Sequence, residues 1–328
     1  MATDVAHAGH APDRLANFPV AFFASVMGLS GLTLAWMKAG HVLALGDSPL
    51  PPALALLSAV AFAVLLGVYA AKIVLRGAQV AEEYHHPVRL HFLPTISISI
   101  LLLSIVALGV WPSAAAPLFF VGAPLHLAMT LLVLNSWFSR DHFQTAHLSP
   151  AWFIPIVGNV LVPLSGVPLG YVELSWFFFA IGIVFLLVLF AIIINRVLFH
   201  NPLPERLAPT LFILIAPPAV GFLSYVKLTG GVDAAARILY YFALFMTLFL
   251  LTQGPRLLRA RFYLSWWAYS FPLAAITVAS LTMYEKIGGA TFHAVSVGLL
   301  TLATIVVSGL FARTLLAIGR HEICLPEH

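Results

Sequence analysis

Ile181-Gly182-Ile183-Val184-Phe185-Leu186-Leu187-Val188-Leu189-Phe190 is apolar at every position. A strand with one wet face, or a wall of a membrane β-barrel, alternates polar and apolar residues. This run has no wet face, so it reads as a helix buried on all sides. Outward from it, apolar character extends over 171–195, about the 20 residues that a helix needs to cross roughly 30 Å of hydrocarbon. Nine further segments of similar length follow the same rule, at 18–37, 51–71, 90–111, 114–138, 150–169, 208–226, 236–254, 264–284 and 290–312. Apolar residues make up 61% of the 328 positions and charged residues 9%, against soluble averages of roughly 45–50% and about 25%. No soluble core hides that much hydrocarbon. The fold class is an all-α integral membrane protein with ten spans.

Other classes fall away on composition. The single cysteine, Cys324, rules out internal disulfides, and no Cys/His spacing resembles a zinc site. Residues 1–17 carry Asp4, Asp13 and Arg14 but no apolar core, so no cleavable signal peptide is visible. The formal charge of +4 is spread over loops rather than gathered in one patch, which argues against nucleic acid as a partner. Three regions result: an N-terminal segment 1–17, a transmembrane domain 18–312 and a tail 313–328.

Lysine and arginine set the orientation. The N-terminus, the loops after even spans and the C-terminus hold twelve of sixteen, namely Arg14, Lys72, Arg76, Arg89, Arg140, Arg196, Arg206, Arg256, Arg259, Arg261, Arg313 and Arg320. The opposite side holds Lys38, Lys227, Arg237 and Lys286. The positive-inside rule then puts both termini in the cytoplasm; the expected location is a plasma membrane of bacterial inner-membrane type. All seven tryptophans lie near proposed span ends, as an aromatic belt requires.

Prolines divide the spans into two kinds. The odd spans carry Pro19, Pro94, Pro155 with Pro163, Pro209 with Pro217 and Pro218, and Pro272, while even spans two and four begin with prolines and Pro124 is their one clear interior exception. Very short links, Pro112-Ser113 and Gly170, force antiparallel neighbours. The chain therefore reads as five helical hairpins, each with one bent and one straight member. Proline frees backbone groups that lipid cannot satisfy, so repeated kinks point to a lined pathway. Small and hydroxyl residues favour the same spans, as in Ser25-Gly28-Ser30-Gly31-Thr33 and Thr95-Ser97-Ser99. Candidate lining residues are Ala24, Gly28, Pro94, Ser97, Pro155, Asn159 and Pro217.

The odd spans have no Asp, Glu, Lys or Arg in their interiors. Membrane proton relays and strong ion sites use such groups, so a weakly selective path fits better than a coupled pump. All odd helices start on the basic side, and their positive dipole ends favour anions. Most of the thirteen histidines flank spans. His126 and His293 lie at depths that differ by roughly 10 Å at about 1.5 Å per residue, a poor match for one haem iron. Both read as hydrogen-bonded to neighbouring helices. No cofactor or metal is expected, and no enzymatic activity.

Trp266-Trp267-Ala268-Tyr269-Ser270-Phe271-Pro272 resembles a signature of the family that contains plant slow-type anion channels, the bacterial tellurite-resistance protein TehA and the yeast malate permease. Phe23-Ala24, Met27-Gly28-Leu29-Ser30-Gly31, Leu34-Ala35-Trp36 and Glu83-Tyr84-His85-His86-Pro87-Val88-Arg89 are similar too, in the right order. The resemblance implies a homotrimer whose protomers each hold a pore, with five kinked inner helices in quasi-five-fold array inside five outer ones. It also implies that Phe271 plugs the pore, with Pro272 fixing the backbone that aims it. Two departures stand out: Ala24 replaces a frequent glycine, and Val26 a frequent proline, which puts the bend of the first helix in doubt. No long tails of the kind that carry phosphoregulation in plant relatives are seen. The expected function is a gated channel for small monovalent anions such as chloride or nitrate. The rival is a secondary transporter of C4-dicarboxylates or tellurium oxyanions.

Overall fold

The computed structural model describes residues 13–141, 143–254 and 261–325; Asp4, His142, Arg256 and Arg259 lie outside them. Regular structure among the described residues is entirely helical. The α-helices are α1 (Phe23–Val42), α2 (Leu50–Leu75), α3 (Gly77–His85), α4 (Thr95–Val110), α5 (Pro112–Ser139), α6 (Ile154–Gly166), α7 (Val172–Phe199), α8 (Ala216–Thr229), α9 (Ala234–Thr252), α10 (Ser270–Ile287) and α11 (Ala290–Gly319). Nine helical segments among the described residues are long and apolar enough to cross a membrane, and Pro150–Gly166 is a shorter apolar one. That shorter segment ends early because Gly170, at φ +90°, turns the chain straight into α7. The last helix runs on to Gly319.

Burial separates two kinds of span. In Val20–Val42, Arg89–Val110, Glu205–Thr229 and Leu264–Ile287, 67–78% of the most apolar stretch is buried. In the spans containing α2, α5, α7, α9 and α11 the share is 22–39%. The second group shows large apolar side chains to its surroundings, such as Val74, Phe138 and Ile238, as lipid contact demands. Packing follows the same division. Helix α1 packs on α4, α4 on α6, α6 on α8, α8 on α10 and α10 back on α1. Each outer helix lies over two members of that ring: α2 on α1 and α4, α5 on α4 and α6, α7 on α6 and α8, α9 on α8 and α10, and α11 on α10 and α1.

The prolines do something more specific than bend a continuous helix. Every inner α-helix is preceded by 3-10 structure, at Val20–Phe22, Arg89–Phe92, Pro150–Phe153, Glu205–Ile215 and Leu264–Tyr269. Pro94, Pro155, Pro217 and Pro272 fall at the N-cap or in the first turn of the α-helix that follows. A missing N–H is harmless there, because the first N–H groups of a helix have no intrahelical partner. The residues thus mark five changes from 3-10 to α geometry. Helix α1 makes the same change after Pro19, so the absence of proline at Val26 does not remove it.

Polar side chains are tied down locally. Thr33, Ser99 and Thr277 donate to the carbonyls of Leu29, Thr95 and Leu273, the usual resort of hydroxyls in an apolar helix. At the start of α9, Asp233 accepts from the N–H of Ala236 at 2.9 Å and from the Tyr225 hydroxyl at 2.6 Å. Those donors hold its carboxyl below the ordinary carboxylate range. Tryptophan is used inside as well as at the rim. Trp111 and Trp176 are exposed, as a belt requires, but Trp152 and Trp267 are buried.

The described segments nearest the two termini meet on one face, where Arg14 contacts His321 at 2.5 Å. A buried ion pair braces this terminal face. Lys72, at the end of α2, donates to Glu83 Oε1 of α3 at 2.9 Å and to the Phe18 carbonyl at 2.8 Å. Tyr69 donates to Glu83 Oε2 at 2.9 Å.

Candidate functional site

Two cavities lie inside the ring of inner helices, one above the other. The larger, about 630 Å³, is lined by α1, α4, α6 and α8 from about their middle, and by α10 from Phe271, to their C-terminal ends. The smaller, about 50 Å³, is lined by the N-terminal parts of the same five helices and by the 3-10 segments before α1, α4, α8 and α10. All five helices therefore run parallel. No outer helix contributes to either wall.

The lining residues recur at intervals of three and four. They include Ala24, Met27, Gly31 and Leu34 on α1, Ile98, Leu102 and Ile105 on α4, and Val157, Leu161 and Leu164 on α6. Helix α8 adds Ala216, Val220 and Leu223, and α10 adds Phe271, Ala275 and Val278. A repeat near 3.5 keeps one face of each helix toward a common axis over several turns. The walls are apolar. Charge appears only where the larger cavity opens, at Lys38, His41, Lys227, Glu285 and Lys286.

Phe271 and Leu161 are the two residues that border both cavities. Phe271 is 7% exposed and stands second in α10, directly before Pro272. Its seat depends on small residues of α1. A Cβ on Gly31 would lie 3.3 Å from the Phe271 ring and 2.9 Å from the Ala274 methyl, and one on Gly28 would collide with Ser270. Trp267, one turn earlier, is locked by an Nε1–H bond of 2.9 Å to Thr314 Oγ1 on α11. The backbone on both sides of Phe271 is thereby held.

Of the residues expected on the wall, Ala24, Phe271 and Pro272 border the smaller cavity. Gly28 instead packs against Ser270. Ser97 and Asn159 face α5, not the axis. Ser97 Oγ lies 2.9 Å from His126 Nδ1, and Asn159 Nδ2 donates to Thr130 Oγ1 at 3.0 Å. Thr130 and Asn159 both donate to the Pro155 carbonyl. Pro94 supplies the carbonyl that Ser97 bonds at 2.9 Å, and Pro217 sits in the buried first turn of α8, beside the lining residue Ala216. Ser97 and Asn159 thus join inner helices to α5, where partners of matching polarity are at hand. Leu161 was not singled out from the sequence, where it is one leucine among many.

The knot at His126 makes a separable prediction. Asn159→Leu is expected to lower stability by about 1–3 kcal/mol, the cost of unpaired buried groups, with transport unchanged. Thermal unfolding in detergent and a flux assay on the same preparation check it.

Comparison with known proteins follows this geometry. Residues 17–315 match the family model described as SLAC1, voltage-dependent anion channel. The S-type anion channel SLAH3 of Arabidopsis thaliana is 28% identical over 312 residues, which is 92% of this chain and 48% of that protein. SLAH2 of the same plant is 32% identical over 251 residues, 74% of this chain and 48% of that protein. This chain thus spans about half the length of these plant relatives. A tellurite resistance protein TehA homolog of Haemophilus influenzae is 25% identical over 296 residues, 88% of this chain and 90% of its own length. With five parallel inner helices round stacked cavities, and a match over nearly all its length, this chain belongs to the SLAC1 family of voltage-dependent anion channels.

Proposed function

We propose that this chain is a gated, uncoupled channel for small monovalent anions such as chloride and nitrate, closed by the ring of Phe271. In this reading ten spans form five hairpins in quasi-five-fold array, with the odd helices inside, and the protein assembles as a homotrimer. The terminal face lies in the cytoplasm. The observation that carries the proposal is the pair of coaxial cavities that meet only at Phe271 and Leu161. An apolar constriction blocks ions by steric exclusion and dewetting, and the uncharged wall gives a passing anion nothing to bind tightly. The relatives named as anion channels support the choice of ion.

The rival reading, a coupled carrier for C4-dicarboxylates or tellurium oxyanions, calls for saturable uptake that responds to a proton gradient. Reversal potentials in planar bilayers under chloride, nitrate and malate gradients separate the two. The channel reading expects current that reverses at the anion equilibrium potential and ignores a pH gradient. Flux that saturates and follows the pH gradient would overturn it.

A further inference from the structure

The mouth of the larger cavity gathers charge that the sequence scatters. Lys38 is four residues from the end of α1, Lys227 lies in the last turn of α8 and Lys286 in that of α10. Three of the four basic residues assigned to this face therefore ring one opening. Lys227 lies within Coulombic reach of Lys38, Lys286 and Glu285. Glu285 is the one acid on the cavity wall, and it is already engaged: Lys38 Nζ approaches its Oε2 at 2.6 Å and His41 Nε2 its Oε1 at 3.8 Å. Helix α4 and the turn after α6 bring Leu108 and Pro168 to this end of the cavity, and no charge.

Helix polarity shows why the lysines are needed. Five parallel inner helices point their C-terminal ends at this mouth, each equivalent to roughly half a negative charge. Left alone, such an opening repels anions. Three ammonium groups against one carboxylate return a net +2 against about −2.5 from the five helix ends, which cancels most of that repulsion and leaves the lysines as the local anion partners. We propose that Lys38, Lys227 and Lys286 form an anion-binding vestibule for small inorganic anions, in which the Glu285 carboxylate is a resident counter-ion that an entering anion displaces from Lys38. The proposal rests on the channel reading for its role in transport, but the site itself is a statement about binding.

The test is conductance against chloride concentration on the vestibule side, in bilayers of zwitterionic phosphatidylcholine so that the membrane adds no net surface charge. At low chloride Glu285→Gln is expected to raise conductance about threefold, and Lys227→Gln and Lys286→Gln each to lower it by a similar factor. That is the Boltzmann weight of one unit charge at roughly 6 Å in water. All variants are expected to converge near 1 M salt, where the screening length is about 3 Å. Lys227 and Lys286 are exposed, so their variants keep the fold even if the Lys38–Glu285 contact between α1 and α10 proves structural. Variants that track the wild type at low chloride overturn the vestibule while leaving the channel standing. If no variant carries anion current, Phe271→Ala included, the channel reading falls, and chloride-35 line broadening by purified protein in uncharged detergent decides the site. Broadening lost in the K38Q/K227Q/K286Q triple variant supports it; broadening unchanged in that variant overturns it.

Discussion

Phe271→Ala is expected to raise anion current about tenfold or more, with only a modest loss of stability. The two effects separate because of what surrounds the ring. A phenylalanine packed between helices on all sides costs about 3–5 kcal/mol when cut to alanine. Phe271 borders open volume both above and below, so it has fewer partners to lose than Phe23 or Phe222, which are fully buried. Removing it joins a cavity of about 630 Å³ to one of about 50 Å³. A tenfold change in current is only about 1.4 kcal/mol off a barrier, well within what exclusion by an apolar ring supplies. Phe271→Leu, which keeps an apolar plug of smaller girth, is expected to fall between. Planar-bilayer currents and unfolding temperatures measured on the same preparations check both halves. A large loss of stability with unchanged current would return Phe271 to the ordinary core.

Glu83→Leu is expected to cost about 3–5 kcal/mol, the price of a buried cation left without its partner. The side chains of Lys72 and Glu83 are 2% and 4% exposed. Once Glu83 is gone, the Phe18 carbonyl is the one hydrogen-bond acceptor left to the ammonium group among the described residues, and Tyr69 loses its acceptor as well. The loosened segment is the one that leads into α1, since Phe18, Val20, Phe22 and Tyr69 share one apolar cluster there. Replacing both members of the pair, as in Lys72→Met with Glu83→Leu, is expected to restore most of the stability. An apolar pair of similar volume pays no desolvation penalty. Thermal unfolding of the two variants and the wild type in one detergent is the measurement. Equal losses in the single and double variants would mean that shape, not charge, holds this corner together.

The stretch 83–89 shows how far a motif carries. As sequence it marks kinship; folded, Glu83 is the inner half of an ion pair whose other half lies eleven positions earlier, on a separate helix. The small residues of α1 were read as lining a path. Gly31 does so, while Gly28 lets α10 approach. Ser97 and Asn159 drew attention because polar residues are rare in such spans, yet that same rarity sends them to each other's neighbours on α5. Against His126 and Thr130 the Ser97 hydroxyl and the Asn159 Nδ2 find partners.

By itself the sequence determined that this is an all-helical membrane protein, where its spans begin, and which spans are of the proline-bearing kind. Those facts depend on local quantities: length against bilayer thickness, apolarity on every side, and the backbone donor that proline lacks. Only the tertiary structure decided which face of each inner helix turns to the axis. All faces of these helices are apolar, so no periodicity distinguishes wall from interface. Packing against four or five neighbours makes that choice, and it alone put Leu161 beside Phe271 between two cavities and drew three distant lysines round one mouth.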